Sequence, residues 1–198
     1  AALERFFKLQ QQQQAVPELD FLLAEFATAL RKEIMSESDL QDRLEAGRKM
    51  LTSYYQQQLS KPVDVFDVER SFGGRRKVLL GDIQLSGKID RIDWLDRQRG
   101  LLRVYDYKTG APKTRGGIEA TSKTYQKDFS ARELALPETI RGPYKRQLIF
   151  YKLLLDLDRS LNPNLQVSEA VFDFIQPKDG TTRHVSHAYS ITEEEVSD

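Results

Sequence analysis

The chain has 198 residues, 39% of them hydrophobic and 30% charged, which suits one medium-sized domain with a substantial core. Thirty basic residues balance thirty acidic ones, so net charge points to no polyanionic partner and any basic surface must be local. The absence of cysteine excludes disulfides, thiolate zinc sites, iron–sulfur clusters and thiol nucleophiles, and fits a reducing compartment.

No apolar run approaches the length of a membrane span, and no signal peptide is visible. The chain starts in helical pattern at AALERFF with no capping residue. It ends where Ser190 and Glu193 fit a capping box opening another helix. Both ends read as those of a domain excised from a larger protein.

Residues 1–60 carry helical spacing, with Phe21, Leu22, Phe26 and Leu30 on one stripe. The run Gln10–Gln14 is low in complexity and reads as a frayed helix end or a loop. Nine acids and seven bases make this half an unpromising DNA face.

From residue 62 the period changes to two. Val63 and Val65 alternate with Phe66 and Val68. Further strands follow in RKVLLGDIQLSGKIDRIDWLD and in GLLRVYDYK. DRQRG (96–100) supplies turn residues, which predicts a hairpin. Residues 111–141 are irregular, a helix covers 144–157, and SEAVFDFIQP and TTRHVSHAYS read as two more strands. The order is helices, meander, helix, strands. The expected class is α/β, with a mixed central sheet flanked by helices and an N-terminal helical segment.

A hairpin turn centred near Gln98 pairs Trp94 with Leu102, Ile92 with Val104 and Asp90 with Asp106. Lys108, two after Asp106, then lies on the same face. Two directly opposed carboxylates repel, and a hard divalent cation relieves that repulsion. An ammonium cannot be a ligand, but it can hold a water or balance a phosphoryl oxygen. The plainer reading is a solvated ion pair at a strand end. Asp93 and Asp96 read as turn or surface residues, with Arg91 able to pair with Asp93 on the opposite face.

Gln147 and Tyr151 share a stripe of the 144–157 helix. On spacing alone they suit an ordinary half-buried helix, since Leu148, Ile149, Leu154 and Leu155 build core; covering the aspartate site is the alternative. Residues 111–146 hold eight bases against four acids, the most basic stretch of the chain. Lys113, Arg115, Lys123, Lys127, Arg141, Lys145 and Arg146 are its candidate DNA contacts, against a solvated loop as the alternative. Tyr125 and Phe129 either stack on bases or pin the loop.

Taken together, GKIDRID (87–93), VYDYKTG (104–110) and QLIFY (147–151) resemble the RecB-type branch of the PD-(D/E)XK nuclease superfamily. The resemblance implies a restriction-endonuclease-like core forming a single domain over 1–198. It implies Asp90 and Asp106 as ligands of Mg²⁺ or Mn²⁺, joined by the backbone carbonyl of Tyr107. Lys108 would be the motif lysine, and Gln147 and Tyr151 the conserved-type Q-x-x-x-Y helix pair.

The implied activity is metal-dependent DNA hydrolysis, exonucleolytic rather than endonucleolytic. The implied setting is the nuclease module of a cytoplasmic bacterial helicase–nuclease in repair and recombination, with a helicase domain or subunit as partner. A silent copy that binds DNA or a partner subunit is the rival reading. The branch carries a metal-binding histidine on an N-terminal helix, and here no histidine precedes His184. Either the fragment begins just after that residue or the ligand is absent. His184 and His187 read as surface residues of the last strand. The cysteines that hold an iron–sulfur cluster in many relatives are also missing.

Overall fold

The computed structural model describes residues 1–74, 77–121, 123–127 and 129–197. Three helices come first: α1 (Ala2–Gln13), α2 (Leu19–Leu30) and α3 (Glu37–Tyr54), the last followed by a π-helical turn, Tyr55–Leu59. Strands β1 (Val65–Phe72), β2 (Val78–Leu80), β3 (Ile83–Leu85), β4 (Gly87–Asp96) and β5 (Leu101–Lys108) follow. The 111–141 segment holds three single-turn helices, α4 (Arg115–Ile118), α5 (Lys123–Gln126) and α6 (Ala131–Leu134). Then come α7 (Pro143–Asp156), β6 (Gln166–Phe174), β7 (Val185–Ser190) and α8 (Glu193–Ser197).

The main sheet has the order β1-β4-β5-β6-β7. Only β5 and β6 run parallel, and the chain between them carries α7, as a parallel connection requires. β2 and β3 form a separate two-stranded ribbon. The predicted mixed sheet flanked by helices is therefore what the chain forms.

Two cores sandwich the sheet. On one side Ile89, Ile92, Leu102, Val104 and Phe172 pack under Leu148, Leu154 and Leu155 of α7. On the other, Val65 and Val68 pack under Phe6, Phe7, Leu22, Leu51 and Tyr54 from α1–α3. Each fully buried leucine or phenylalanine contributes about 1.5–3 kcal/mol, so both helical layers are firmly attached.

Several expectations need correcting. Val65 and Val68 share a face rather than opposing one another, because a bulge between Val65 and Asp67 shifts the register against β4. The glutamine run is neither frayed nor a loop up to Gln13. Gln10 is buried and donates to the Val63 carbonyl at 2.9 Å, and Gln11 donates to that of Phe66 at 2.8 Å. The final capping box is Thr192 with Glu195, two residues beyond Ser190 and Glu193. Thr192 N–H donates to Glu195 Oε2 at 3.0 Å, and Glu195 N–H returns a bond to Thr192 Oγ1 at 3.3 Å.

Candidate active site

The β4–β5 hairpin adopts the predicted register from Arg91 to Trp94, shifts at a bulge between Trp94 and Asp96, and does not include the expected Asp90–Asp106 pair in its ladder. Trp94 opposes Leu102, Ile92 opposes Val104 and Arg91 opposes Tyr105. Asp96 closes the turn by accepting from the backbone of Gln98 and Arg99, at 2.9 and 3.1 Å. The ladder continues toward Asp90 through a side chain: the Tyr107 N–H donates to Asp90 Oδ2 at 2.8 Å.

Regular alternation fails at Asp90, since Ile89 and Ile92, three apart, both join the α7-side core. The β1–β4 pairing explains why. Val68 opposes Arg91 and Arg70 opposes Ile89, so Glu69 stands across from Asp90. Glu69 has φ 58°, an unusual conformation for a non-glycine residue in a strand. The two strands kink together there. Asp90 consequently lines a cavity of about 300 Å³, with Glu69, Tyr107, Thr109 and the start of α1 on its walls.

Asp106 sits beneath α7 and is only 4% exposed. Its Oδ1 accepts from Tyr151 Oη at 2.6 Å and from Gln147 Nε2 at 2.7 Å. Its Oδ2 lies 2.7 Å from Lys108 Nζ, an ion-pair contact without well-directed hydrogen-bond geometry. Lys108 Nζ donates to Gln147 Oε1 at 2.9 Å, and Gln147 Nε2 also donates to Tyr151 Oη at 2.7 Å. An ammonium only donates and a carboxylate only accepts, so the amide of Gln147 fits between them in one orientation. The helix that delivers Gln147 and Tyr151 begins at Gly142, whose φ of 99° favours glycine, followed by Pro143 at the first helical position.

The electrostatics are those of a strained acidic site. Burial raises the Asp90 carboxyl above its ordinary value; the Tyr107 N–H opposes this, and the charges of Asp106 and Glu69 add to it. Burial, and then the Asp106 charge, push the Tyr151 hydroxyl upward, so it remains a donor.

The donor set suits a hard cation. Asp90 and the poorly engaged Asp106 Oδ2 are two carboxylates brought near one another, the kind of partial ligand set that Mg²⁺ completes with water. Among the described residues, no group of three or more His, Cys, Asp or Glu side chains is placed to hold a metal.

The structure thus brings Asp90, Asp106, Lys108, Gln147 and Tyr151 together. It adds Glu69, which the sequence reading missed; the only signal was an acid in the middle of a strand pattern. Tyr107 contributes its backbone to Asp90, while its hydroxyl points away and accepts from Arg91 Nη1 at 2.5 Å.

Other candidates are placed differently. Asp93 is not a surface residue: it is 4% exposed and pairs with the equally buried Arg91 at 3.0 Å, beneath α1. His184 is buried as well, its Nε2 2.8 Å from Ser53 Oγ. Of the basic candidates, Arg115 pairs with Glu119, Arg141 with Glu138, Lys145 with Glu195 and Arg146 with Glu133. Lys113, Lys123 and Lys127 have no carboxylate partner among the described residues, and the last two are exposed.

A family model of the PD-(D/E)XK nuclease superfamily matches residues 1–197, and the chain belongs to that superfamily. The fold is accordingly of the restriction-endonuclease-like type, and nuclease activity on DNA is the activity its family suggests. No curated protein matched the chain. Among the described residues, no helix is long and apolar enough to cross a membrane.

Proposed function

We propose that the chain is one RecB-type nuclease domain that hydrolyses DNA phosphodiester bonds with Mg²⁺ or Mn²⁺. The supporting observation is the connected cluster of Asp106, Lys108, Gln147 and Tyr151, with Asp90 beside it.

Asp90, Asp106 and the Tyr107 carbonyl would hold the cation. When bound, it supplies Lewis acidity toward the phosphate and a water of lowered pKa. Gln147 and Tyr151 fix one oxygen of Asp106, so that the other, now facing Lys108, would be the one offered to the cation. On this reading Lys108 turns from Asp106 to the substrate and stabilises negative charge developing on the phosphoryl oxygens. The domain would act exonucleolytically in the cytoplasm of a bacterium, joined to a helicase domain or subunit that feeds it DNA during repair and recombination.

The test is degradation of linear DNA with Mg²⁺ or Mn²⁺, abolished by chelator and by Asp106→Ala or Lys108→Ala. Undiminished cleavage in either variant sinks the proposal.

A second reading, a silent nuclease fold that binds DNA or a partner, draws on one observation. Lys108 closes onto Asp106 in a pair that needs no metal, and among the described residues no third acidic or histidine ligand converges. Calorimetric titration with Mn²⁺ separates the two. Binding that Asp90→Ala removes supports the nuclease; absent binding with DNA affinity retained supports the silent fold.

A further inference from the structure

The cavity at Asp90 joins two kinds of lining. Most of its wall is apolar: Phe7, Leu51, Val68 and Ile175 are buried, and Phe26 and Met50 pack against the same core. Its charged side chains are all acids, Glu4, Glu69 and Asp90, with no lysine, arginine or histidine among the described residues that line it. Two of these acids already have a cation. Glu4 accepts from Lys8 at 2.6 Å, and Glu69 pairs with Lys88. Asp90 accepts the Tyr107 N–H at 2.8 Å, but among the described residues no lysine or arginine forms an ion pair with it.

The hollow is built into the packing of α1–α3 on the sheet. Phe26 takes its place over the bare backbone of Gly47, where a Cβ would fall 2.2 Å from the ring. Phe7 stacks on Tyr107, with ring centroids 6.1 Å apart. At about 300 Å³ the space reaches the lower end of the range of small-molecule sites.

What can fill it follows from its two linings. A phosphate group is repelled by the acids. A neutral hydrocarbon suits the walls but strips water from a carboxylate that lacks a cation, which is costly. A hydrated metal ion suits Asp90 and leaves the apolar walls wet. A cation on an apolar body meets both demands, and its attraction to Asp90 strengthens in a space partly withdrawn from water.

We propose that this cavity binds a small organic cation, an ammonium group on an aryl or branched alkyl body, with the ammonium at Asp90 and the body among Phe7, Phe26, Met50 and Val68. The proposal goes beyond the nuclease reading and does not depend on it, since walls and charge are present whether or not Asp90 takes a metal. Where a metal does bind, the organic cation occupies the same carboxylate, and the cavity becomes an inhibitory site.

The test is calorimetric titration of the domain in chelator with three probes: 2-phenylethylammonium, the neutral 2-phenylethanol, and ethylammonium. The aryl ammonium should bind about tenfold or more tightly than either of the others. Asp90→Asn should erase its advantage over the alcohol while leaving the alcohol's affinity unchanged. Ala2→Phe, which fills the cavity from the start of α1, should weaken both aryl probes together. Without chelator, added Mn²⁺ should raise the apparent dissociation constant of the aryl ammonium.

Equal wild-type affinity for the aryl ammonium and the alcohol overturns the proposal without any variant being made. So does ethylammonium binding as tightly as its aryl counterpart, or a wild-type domain that binds none of the three. A folded Asp90→Asn domain that keeps the full preference overturns it as well. Binding of the aryl ammonium that Mn²⁺ does not oppose supports the cavity site and overturns the metal role of Asp90 instead.

Discussion

Two buried polar clusters lie on opposite sides of the β4–β5 hairpin, and they are built on opposite principles. Beneath α1–α3, Arg91 is enclosed by Phe7 and Tyr105, with ring centroids at 4.1 and 3.7 Å, and pairs with Asp93. Asp173 nearby accepts from Tyr54 and Ser186 at 2.5 and 3.0 Å. There, opposite charges and hydroxyl donors are sealed under aromatic rings. In the other cluster Asp106 lies beneath α7 with Lys108 paired to it, the charge of Asp90 acts on it from the adjoining cavity, and Asp90, Lys108 and Gln147 all keep some exposure. Orphaned polar atoms occur in both clusters, among them Asp93 Oδ1 and Asp106 Oδ2. The difference lies in access: each cluster sets two carboxylates against one cation, but only the second keeps contact with solvent. A closed cluster of paired groups holds a fold together, whereas an open one is poised to take a cation.

The contrast breaks most sharply if its two sides respond alike to charge removal. Asp106→Asn and Lys108→Met should each lower DNA cleavage by about 10³-fold, with a smaller loss of melting temperature than a break in the sealed pair causes, since Lys108 is partly exposed and Asp106 keeps the Gln147 and Tyr151 contacts when the lysine is removed. Calorimetry should then divide the pair: Mn²⁺ binding fails in Asp106→Asn and survives in Lys108→Met. If either variant unfolds the domain, the open cluster is structural after all.

On the sealed side the outcome should invert. Arg91→Met strands the Asp93 carboxylate in the core, at a cost of about 3–5 kcal/mol, or about 10 °C in melting temperature. Arg91→Met combined with Asp93→Leu should recover most of that loss, because no uncompensated charge remains. Cleavage by the double variant, assayed below its melting point, should stay within a few-fold of wild type.

Between these extremes stand the residues that orient rather than react. Tyr151→Phe leaves Asp106 Oδ1 with Gln147 as its donor, and Gln147→Ala leaves it with Tyr151. Each should weaken Mn²⁺ binding or activity by about 10–100-fold. Glu69→Gln, which lowers the negative charge facing Asp90, should weaken Mn²⁺ binding less than Asp90→Asn does.

The open cluster was largely legible in the sequence, and the sealed one was not. The hairpin register followed from strict alternation of Ile92, Trp94, Leu102 and Val104 about a short polar turn, and this brought Asp90 toward Asp106. Gln147 and Tyr151 followed from the helical period. Parity also assigned Arg91 and Asp93 to the far face, but nothing local says that three helices from residues 2–54 cover that face; a charged strand face looks the same whether solvated or sealed. Glu69 was hidden for a different reason. Its left-handed backbone is a tertiary accommodation of the kink at Asp90, with no glycine or asparagine to announce it. Most of the basic loop residues were partnered across distances that pattern does not reveal, as with Lys145 and Glu195.

The smallest expected effect tests how well the far side is sealed. Burial lowers the pKa of His184 below the ordinary 6.5, so the folded protein favours the neutral ring. The unfolded chain then binds more protons in this range. The stability the ring contributes is complete above about pH 6.5 and is lost as pH falls from there to the depressed folded value. Asp173 acts with the opposite sign: burial raises its carboxyl despite the Tyr54 hydrogen bond, so its protonation on acidification favours the fold. Melting temperatures should therefore fall modestly below pH 6.5 in the wild type. His184→Gln should flatten that fall while leaving the Asp173 contribution intact. An identical pH profile in the variant would mean that the ring is already solvated and that the α3 side of the sheet is looser than its aromatic packing implies.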